Sequence, residues 1–193
     1  MGTSMVGTAF MVLAAMMALP PPERAEPPLA PPFPAPGSAV WLGTPVSWPD
    51  LAGQVVLLDV WTFDCVNCVR TIPWIKEMKV RYAGKGLAMV GIHTPELEHE
   101  RQPAAVRNAV ERFGLDYPHL LDNDYAYWRA LGNQYWPTIY LVDRCGRIRV
   151  RQIGEVHLGK KSGSTLEGQL QTLLDEPSEC RPTGRNTTPP KTR

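Results

Sequence analysis

The chain has 193 residues, a formal net charge of +1 at pH 7, 44% hydrophobic residues and 20% charged residues. That length supplies one ordinary domain plus tails. The balanced charge excludes the basic surface of a nucleic-acid binder and the acidic surface of a polycation binder, and the composition is that of a globular protein.

From the N-terminus, Val6 to Leu19 is apolar with small residues interspersed, and Pro20-Pro21-Pro22 stops it. The length suits a signal-peptide core better than a spanning helix, which needs about 20 apolar residues. No Lys or Arg precedes the run, and no Ala-x-Ala pair follows it. An uncleaved anchor, a mis-assigned start and a buried helix therefore stand beside a cleaved export signal. Export signal and anchor both place the domain in the periplasm or otherwise outside the cytoplasm. Residues 20–37 carry prolines at 20, 21, 22, 27, 28, 31, 32, 34 and 36. They favour extended polyproline II and read as a linker or a disordered leader.

The globular part spans residues 38–176. Val40 to Val46 reads as a short strand and turn, in the manner of a hairpin. Val55 to Val60 is a continuous apolar, β-branched run, as in a strand buried on both faces. A helix follows over Cys68 to Ala83, with Ile72, Ile75 and the Met78–Val80 stretch as its apolar face. Leu87 to Ile92 reads as a second buried strand. Pro103 to Phe113 is a helix with Ala105, Val106, Ala109, Val110 and Phe113 on one stripe, and Gly114 closes it. Tyr117 to Leu121 reads as a strand and Asp124 to Leu131 as a short helix. Thr138 to Val142 and Ile148 to Ile153 flank the turn Asp143-Arg144-Cys145-Gly146 as a hairpin. Leu166 to Leu174 is a last helix, with Ser164 or Thr165 to cap it. Residues 177–193 are polar, Pro-rich and read as disordered. Alternating strands and helices imply a parallel sheet, and the hairpin makes it mixed.

The chemistry centres on Cys65-Val66-Asn67-Cys68, directly after the first buried strand. Two cysteines at this spacing close and reopen a small disulfide ring. Cys65 falls at a helix N-terminus, where unpaired amides and the helix dipole favour a thiolate. Cys65 is expected as the exposed attacking sulfur and Cys68, one turn in, as the buried resolving one. A zinc half-site is the rival, but Cys145 and Cys180 are isolated and no second ligand pair follows. A purely structural disulfide is the other. No metal and no cofactor are expected.

Leu58 to Cys68 resembles the active-site stretch of the thioredoxin superfamily. Asp59 lies six residues before Cys65, Trp61 four before it, and Pro73 five after Cys68. Trp136-Pro137-Thr138-Ile139-Tyr140 resembles the segment that carries the family's cis-proline, and Gly154 the glycine closing the last strand. Within the superfamily the chain is similar to the TlpA-like group and to the thioredoxin-like domain of DipZ-type proteins. The phrases carrying this are Trp61-Thr62 with the cysteine pair, Gly91-Ile92-His93-Thr94-Pro95-Glu96, Leu121 to Ala126 with Trp128, and Tyr135-Trp136-Pro137. Pro103 to Leu121 matches the group's helix–strand insertion. Full-length DipZ-type proteins carry a multi-span membrane domain first; residues 1–37 do not read as one, and the electron source is left open.

The resemblance implies a thioredoxin-like three-layer α/β sandwich and an extracytoplasmic thiol–disulfide oxidoreductase, a reductase by preference. Its partners are substrate proteins or thiols held in transient mixed disulfides, and a membrane electron donor or acceptor. Asp59 is implied as a buried carboxyl that trades a proton with Cys68. A cis bond before Pro137 is implied to aim the Trp136 backbone at Cys65. Trp61 and Trp136 are expected near the site. Glu96 and His93 are expected at its rim, and Glu96 as an acid or base. His99, His119 and His157 read as surface or loop residues. A structural disulfide is expected between Cys145 and Cys180. Two other functions compete. Thr62 three residues before Cys65 fits a peroxiredoxin pattern, but Leu58 stands where its proline belongs. A redox-inert binding module would ordinarily lack one of the two cysteines.

Overall fold

The computed structural model describes residues 2, 26–35, 37 and 39–177. The apolar run at Val6 to Leu19 and the tail from residue 178 onward lie outside the described residues. Among the described residues no helix is long and apolar enough to cross a membrane.

Among the described residues there are six strands: β1 (Val40–Leu42), β2 (Val55–Trp61), β3 (Leu87–His93), β4 (His119–Leu121), β5 (Thr138–Val142) and β6 (Ile148–Ile153). Four α-helices accompany them among the described residues: α1 (Val66–Tyr82), α2 (Pro103–Phe113), α3 (Ala126–Ala130) and α4 (Lys161–Asp175). The sheet order is β1-β4-β3-β2-β5-β6. β2, β3 and β4 run parallel, while β1, β5 and β6 add antiparallel pairs. The sheet is mixed, as expected.

β2 lies at the centre, and all seven of its residues are buried. Its alternation divides the core. Leu57 and Trp61 face a layer built by Ile72, Trp74, Ile75 and Met78 of α1, Val106 of α2 and Leu170 of α4. Val56, Leu58 and Val60 face the opposite layer, with Tyr127 of α3, Leu131 and Leu51. Pro73 falls inside α1, which removes a helix hydrogen bond and costs about 3 kcal/mol. Burying side chains such as Ile75 and Met78 returns about 1.5–3 kcal/mol each, so packing holds this helix rather than propensity. Val80, read with the apolar face, is 75% exposed. Two residues beyond Met78 is more than half a turn round the helix.

Part of the segment read as a linker belongs to the domain. Leu29 forms an antiparallel bridge with Arg147, and the Ala30 amide donates to Gly146 O at 2.8 Å. Pro31 O accepts from Trp48 Nε1 at 2.7 Å and from the Tyr127 hydroxyl at 3.0 Å. Phe33 stacks on Trp48 and Tyr127, each with centroids 5.1 Å apart. Proline-rich backbone cannot build a helix, but its free carbonyls and Phe33 cover the second face of the sheet, which α3 alone is too short to cover.

Two further readings change. β1 forms no hairpin: it pairs with β4, Val40 opposite Leu121, because the inserted β4 offers it an edge. Helix α4 begins at Lys161, ahead of the expected caps, and Ser164 lies within it, donating its hydroxyl to the Lys160 and Lys161 carbonyls. Gly163 permits this early start: a Cβ there would lie 2.1 Å from His157 O, and Trp74 Nε1 donates to Gly163 O at 3.2 Å.

Candidate active site

β2 ends at Trp61, and Thr62-Phe63-Asp64 carries the chain to Cys65, the N-cap of α1. The Cys68 amide donates to Cys65 Sγ at 3.2 Å. Cys65 is half-buried, Cys68 is buried, and both are free thiols. The Cys65 thiol is lowered to about 7, first by the Cys68 S–H donated to it, then by the Cys68 and Asn67 amides. Burial and the Glu96 carboxylate oppose this. Cys68 moves the other way: burial pushes its thiol far up, and its hydrogen bond to Cys65 adds to that. One sulfur is poised as a thiolate near neutrality and its neighbour holds its proton.

Cys65 opens onto a cleft of about 260 Å³ lined by Asp64, Val66, Asn67, Glu96 and Trp136. Glu96 is at the rim, as expected. The Trp136–Pro137 bond is cis. Trp136 is fixed by its Nε1, which donates to Thr94 O at 3.0 Å, and by Trp128, 4.1 Å between centroids. Thr94 in turn donates to Asp122 at 3.2 Å, and Asp122 accepts the Tyr127 and Trp128 amides at the start of α3. Pro73 sits on the exposed side of α1. Trp61 does not line the cleft. It lies beneath it, buried in the same core cluster as Cys68.

Asp59 is buried, and burial raises its carboxyl to about 7 despite a hydrogen bond from the Tyr117 hydroxyl at 3.1 Å. Its charge acts on Cys68. His93, expected at the rim, is buried behind it, stacked on Phe63 with Nε2 3.2 Å from Thr62 Oγ1. The Thr62 hydroxyl is thus held inside the fold.

His119 departs most from its reading as a surface residue: it is fully buried. Its Nδ1 accepts from Trp61 Nε1 at 3.3 Å, so the proton sits on Nε2, facing Leu115 O at 3.4 Å. Burial lowers it to about 4, and it is neutral. Gly91 makes the space, since a Cβ there would fall 2.0 Å from His119 Nδ1. His99 and His157 are surface residues, paired with Asp64 at 2.5 Å and Glu155 at 2.7 Å.

Glu100 was not singled out by sequence, yet it is fully buried under the site. Oε1 accepts the Asp64 amide at 3.1 Å, and Oε2 accepts the Glu96 and Leu97 amides at 2.6 and 2.7 Å. Burial pushes this carboxyl up, but the Thr62 hydroxyl and these three amides outweigh it and bring it down. One carboxylate thus ties the loop before Cys65 to the loop bearing Glu96. In the polar run Glu96 to Arg101 nothing distinguishes it from Glu98. Of the expected Cys145–Cys180 bridge, Cys145 sits half-buried in the β5–β6 turn and is disulfide-bonded. Cys180 lies outside the described residues.

The fold and the paired thiols define a thioredoxin-like domain with a Cys-x-x-Cys site. The chain belongs to the Redoxin family, whose model matches residues 33–170. It is 42% identical over 123 residues to protein DipZ of Mycobacterium tuberculosis (strain CDC 1551 / Oshkosh), across 62% of this chain but only 18% of DipZ. The chain therefore spans a small part of that relative. It is 28% identical over 131 residues to thiol-disulfide oxidoreductase ResA of Bacillus thuringiensis (strain Al Hakam), across 68% of this chain and 70% of ResA. A thiol-disulfide isomerase from Corynebacterium glutamicum has a similar structure, with a TM-score of 0.64 and 25% identity, covering 77% of this chain and 98% of that one.

Proposed function

We propose that this domain reduces protein disulfides outside the cytoplasm, with Cys65 as the attacking sulfur and Cys68 as the resolving one. The observation that carries the reading is the division between the two thiols: Cys65 opens on the cleft and is lowered to about 7, while Cys68 is buried and protonated.

The Cys65 thiolate attacks one sulfur of a substrate disulfide in the cleft beside Trp136. That S–S bond breaks, one substrate thiolate leaves, and a mixed disulfide forms on Cys65. Cys68 then gives its proton to the Asp59 carboxylate and attacks Cys65 Sγ. The mixed disulfide breaks, the second substrate thiolate leaves, and two electrons have passed to the substrate. Cys65 and Cys68 end as a disulfide, which a membrane electron donor reduces for the next turn. Glu96 at the rim serves proton exchange with the leaving thiolate.

The Cys65 thiol supports the reductase direction. A strong oxidant stabilises its reduced form with a cysteine pKa of roughly 3.5, whereas the reductant thioredoxin has one near 7. Cys65 stands with the second group. The disulfide at Cys145 fits an oxidising compartment. The reduction potential of the Cys65–Cys68 couple, equilibrated against a dithiol buffer, tests the direction. The expected value lies toward the roughly −270 mV of thioredoxin, and one near the roughly −120 mV of a strong oxidase reverses it.

A further inference from the structure

Asp59 is the base of the resolving step, and the inference here rests on that assignment. Among the described residues its carboxylate receives one hydrogen bond, from the Tyr117 hydroxyl to Oδ2 at 3.1 Å. Tyr117 lies in the connection from α2 to β4, within the inserted segment, and it is buried. Its ring packs against His119, 4.5 Å between centroids. On its other side Tyr117 borders a second cleft of about 360 Å³, lined also by Leu42, Thr44, Arg107, Glu111 and Asp116. That cleft shares no lining residue with the one at Cys65. Tyr117 therefore stands between Asp59 and a separate opening to solvent.

The other groups around Asp59 bring no competing charge. Its ladder partners are Gly91 on β3 and Ile139 on β5. Cys68 of α1, on which the Asp59 charge acts, keeps its proton. His93 on β3 and His119 on β4 are both lowered to about 4 by burial and stay neutral. Asp116, beside Tyr117, is exposed and paired with Lys79 at 2.8 Å.

We propose that Tyr117 is the positioning residue for Asp59, its donated hydroxyl holding the carboxylate ionised and aimed to take the proton of Cys68. A hydroxyl that donates to a carboxylate favours the ionised form, which is the form that accepts a proton. Tyr117 does not touch the substrate. It acts on the second chemical step alone, since the thiolate of Cys65 needs no base for the first.

Reaction of the reduced protein with 5,5′-dithiobis(2-nitrobenzoate) separates the two steps. Attack by Cys65 releases one coloured thiolate, and resolution by Cys68 releases the second. Stopped-flow traces across the pH range give a midpoint for each phase. Tyr117→Phe keeps the ring against His119 and removes only the hydroxyl. The expected result is an unchanged first phase and a second-phase midpoint raised by about one to two pH units, with resolution about tenfold slower at neutral pH. A slower second phase with an unmoved midpoint would make Tyr117 a packing residue and overturn the proposal. Asp59→Asn provides the independent arm: the Asp59→Asn/Tyr117→Phe double variant should resolve no more slowly than Asp59→Asn alone. Independent losses would overturn the proposal as well. A wild-type protein lacking any second phase would instead sink the assignment of Cys68 as resolver, and this proposal with it.

Discussion

The Cys68 amide points at the Cys65 sulfur from 3.2 Å, so the first turn of α1 donates to the group it must activate. That contact, with the Cys68 S–H and the Asn67 amide, holds the Cys65 thiolate near neutrality. Alkylation by iodoacetamide should therefore follow a midpoint near pH 7 at Cys65, falling about tenfold for each pH unit below it. Cys68, pushed up by burial, should stay unmodified well into the alkaline range. Peptide mapping after timed alkylation distinguishes the two sites.

Asp59 predicts a conflict between stability and function. Its folded carboxyl is raised to about 7 from an ordinary 3.8, so the folded state binds a proton that the unfolded state has lost between those values. Stability is fully present below about pH 4 and is lost as pH rises toward 7. Asp59→Asn should be more stable than wild type by roughly 2 kcal/mol at pH 8 and little changed at pH 4. Urea melts at the two pH values check it.

Glu100 should show the opposite dependence. Its folded carboxyl is lowered, so its contribution is present above the ordinary carboxylate range and lost as pH falls through the folded value. Glu100→Ala strands the Asp64, Glu96 and Leu97 amides and should cost about 3 kcal/mol at neutral pH. The acid limb of the stability profile should flatten with it.

Phe33 tests whether the proline-rich segment belongs to the domain. Phe33→Ala opens the aromatic cluster with Trp48 and Tyr127 and should destabilise by about 3 kcal/mol. A melting temperature equal to wild type would return the segment to a linker.

The strands and helices were largely legible because their signals are local. Val55 to Trp61 is apolar without a break, and Pro103 to Phe113 carries its stripe between a proline and a glycine. The motif spacings also located Asp59, the cysteines and Pro137 in one fold. What stayed hidden depends on long-range partners. The proline run shows no period, so its docking through carbonyl groups and a single Phe33 left no pattern to read. His119 reads as a lone polar residue until Gly91, 28 positions earlier, is seen to leave room for its ring. Glu100 is one carboxylate in a charged run, and only folding turns it under the loop that precedes Cys65.

The division of labour between the two cysteines is tested most directly by trapping. Cys68→Ser, mixed in reduced form with a disulfide-bonded substrate protein, should accumulate a covalent adduct that mass spectrometry places on Cys65 and that dithiothreitol releases. Cys65→Ser should form none. An adduct on Cys68 in the Cys65→Ser protein, or none on Cys65 in the Cys68→Ser protein, would contradict the account.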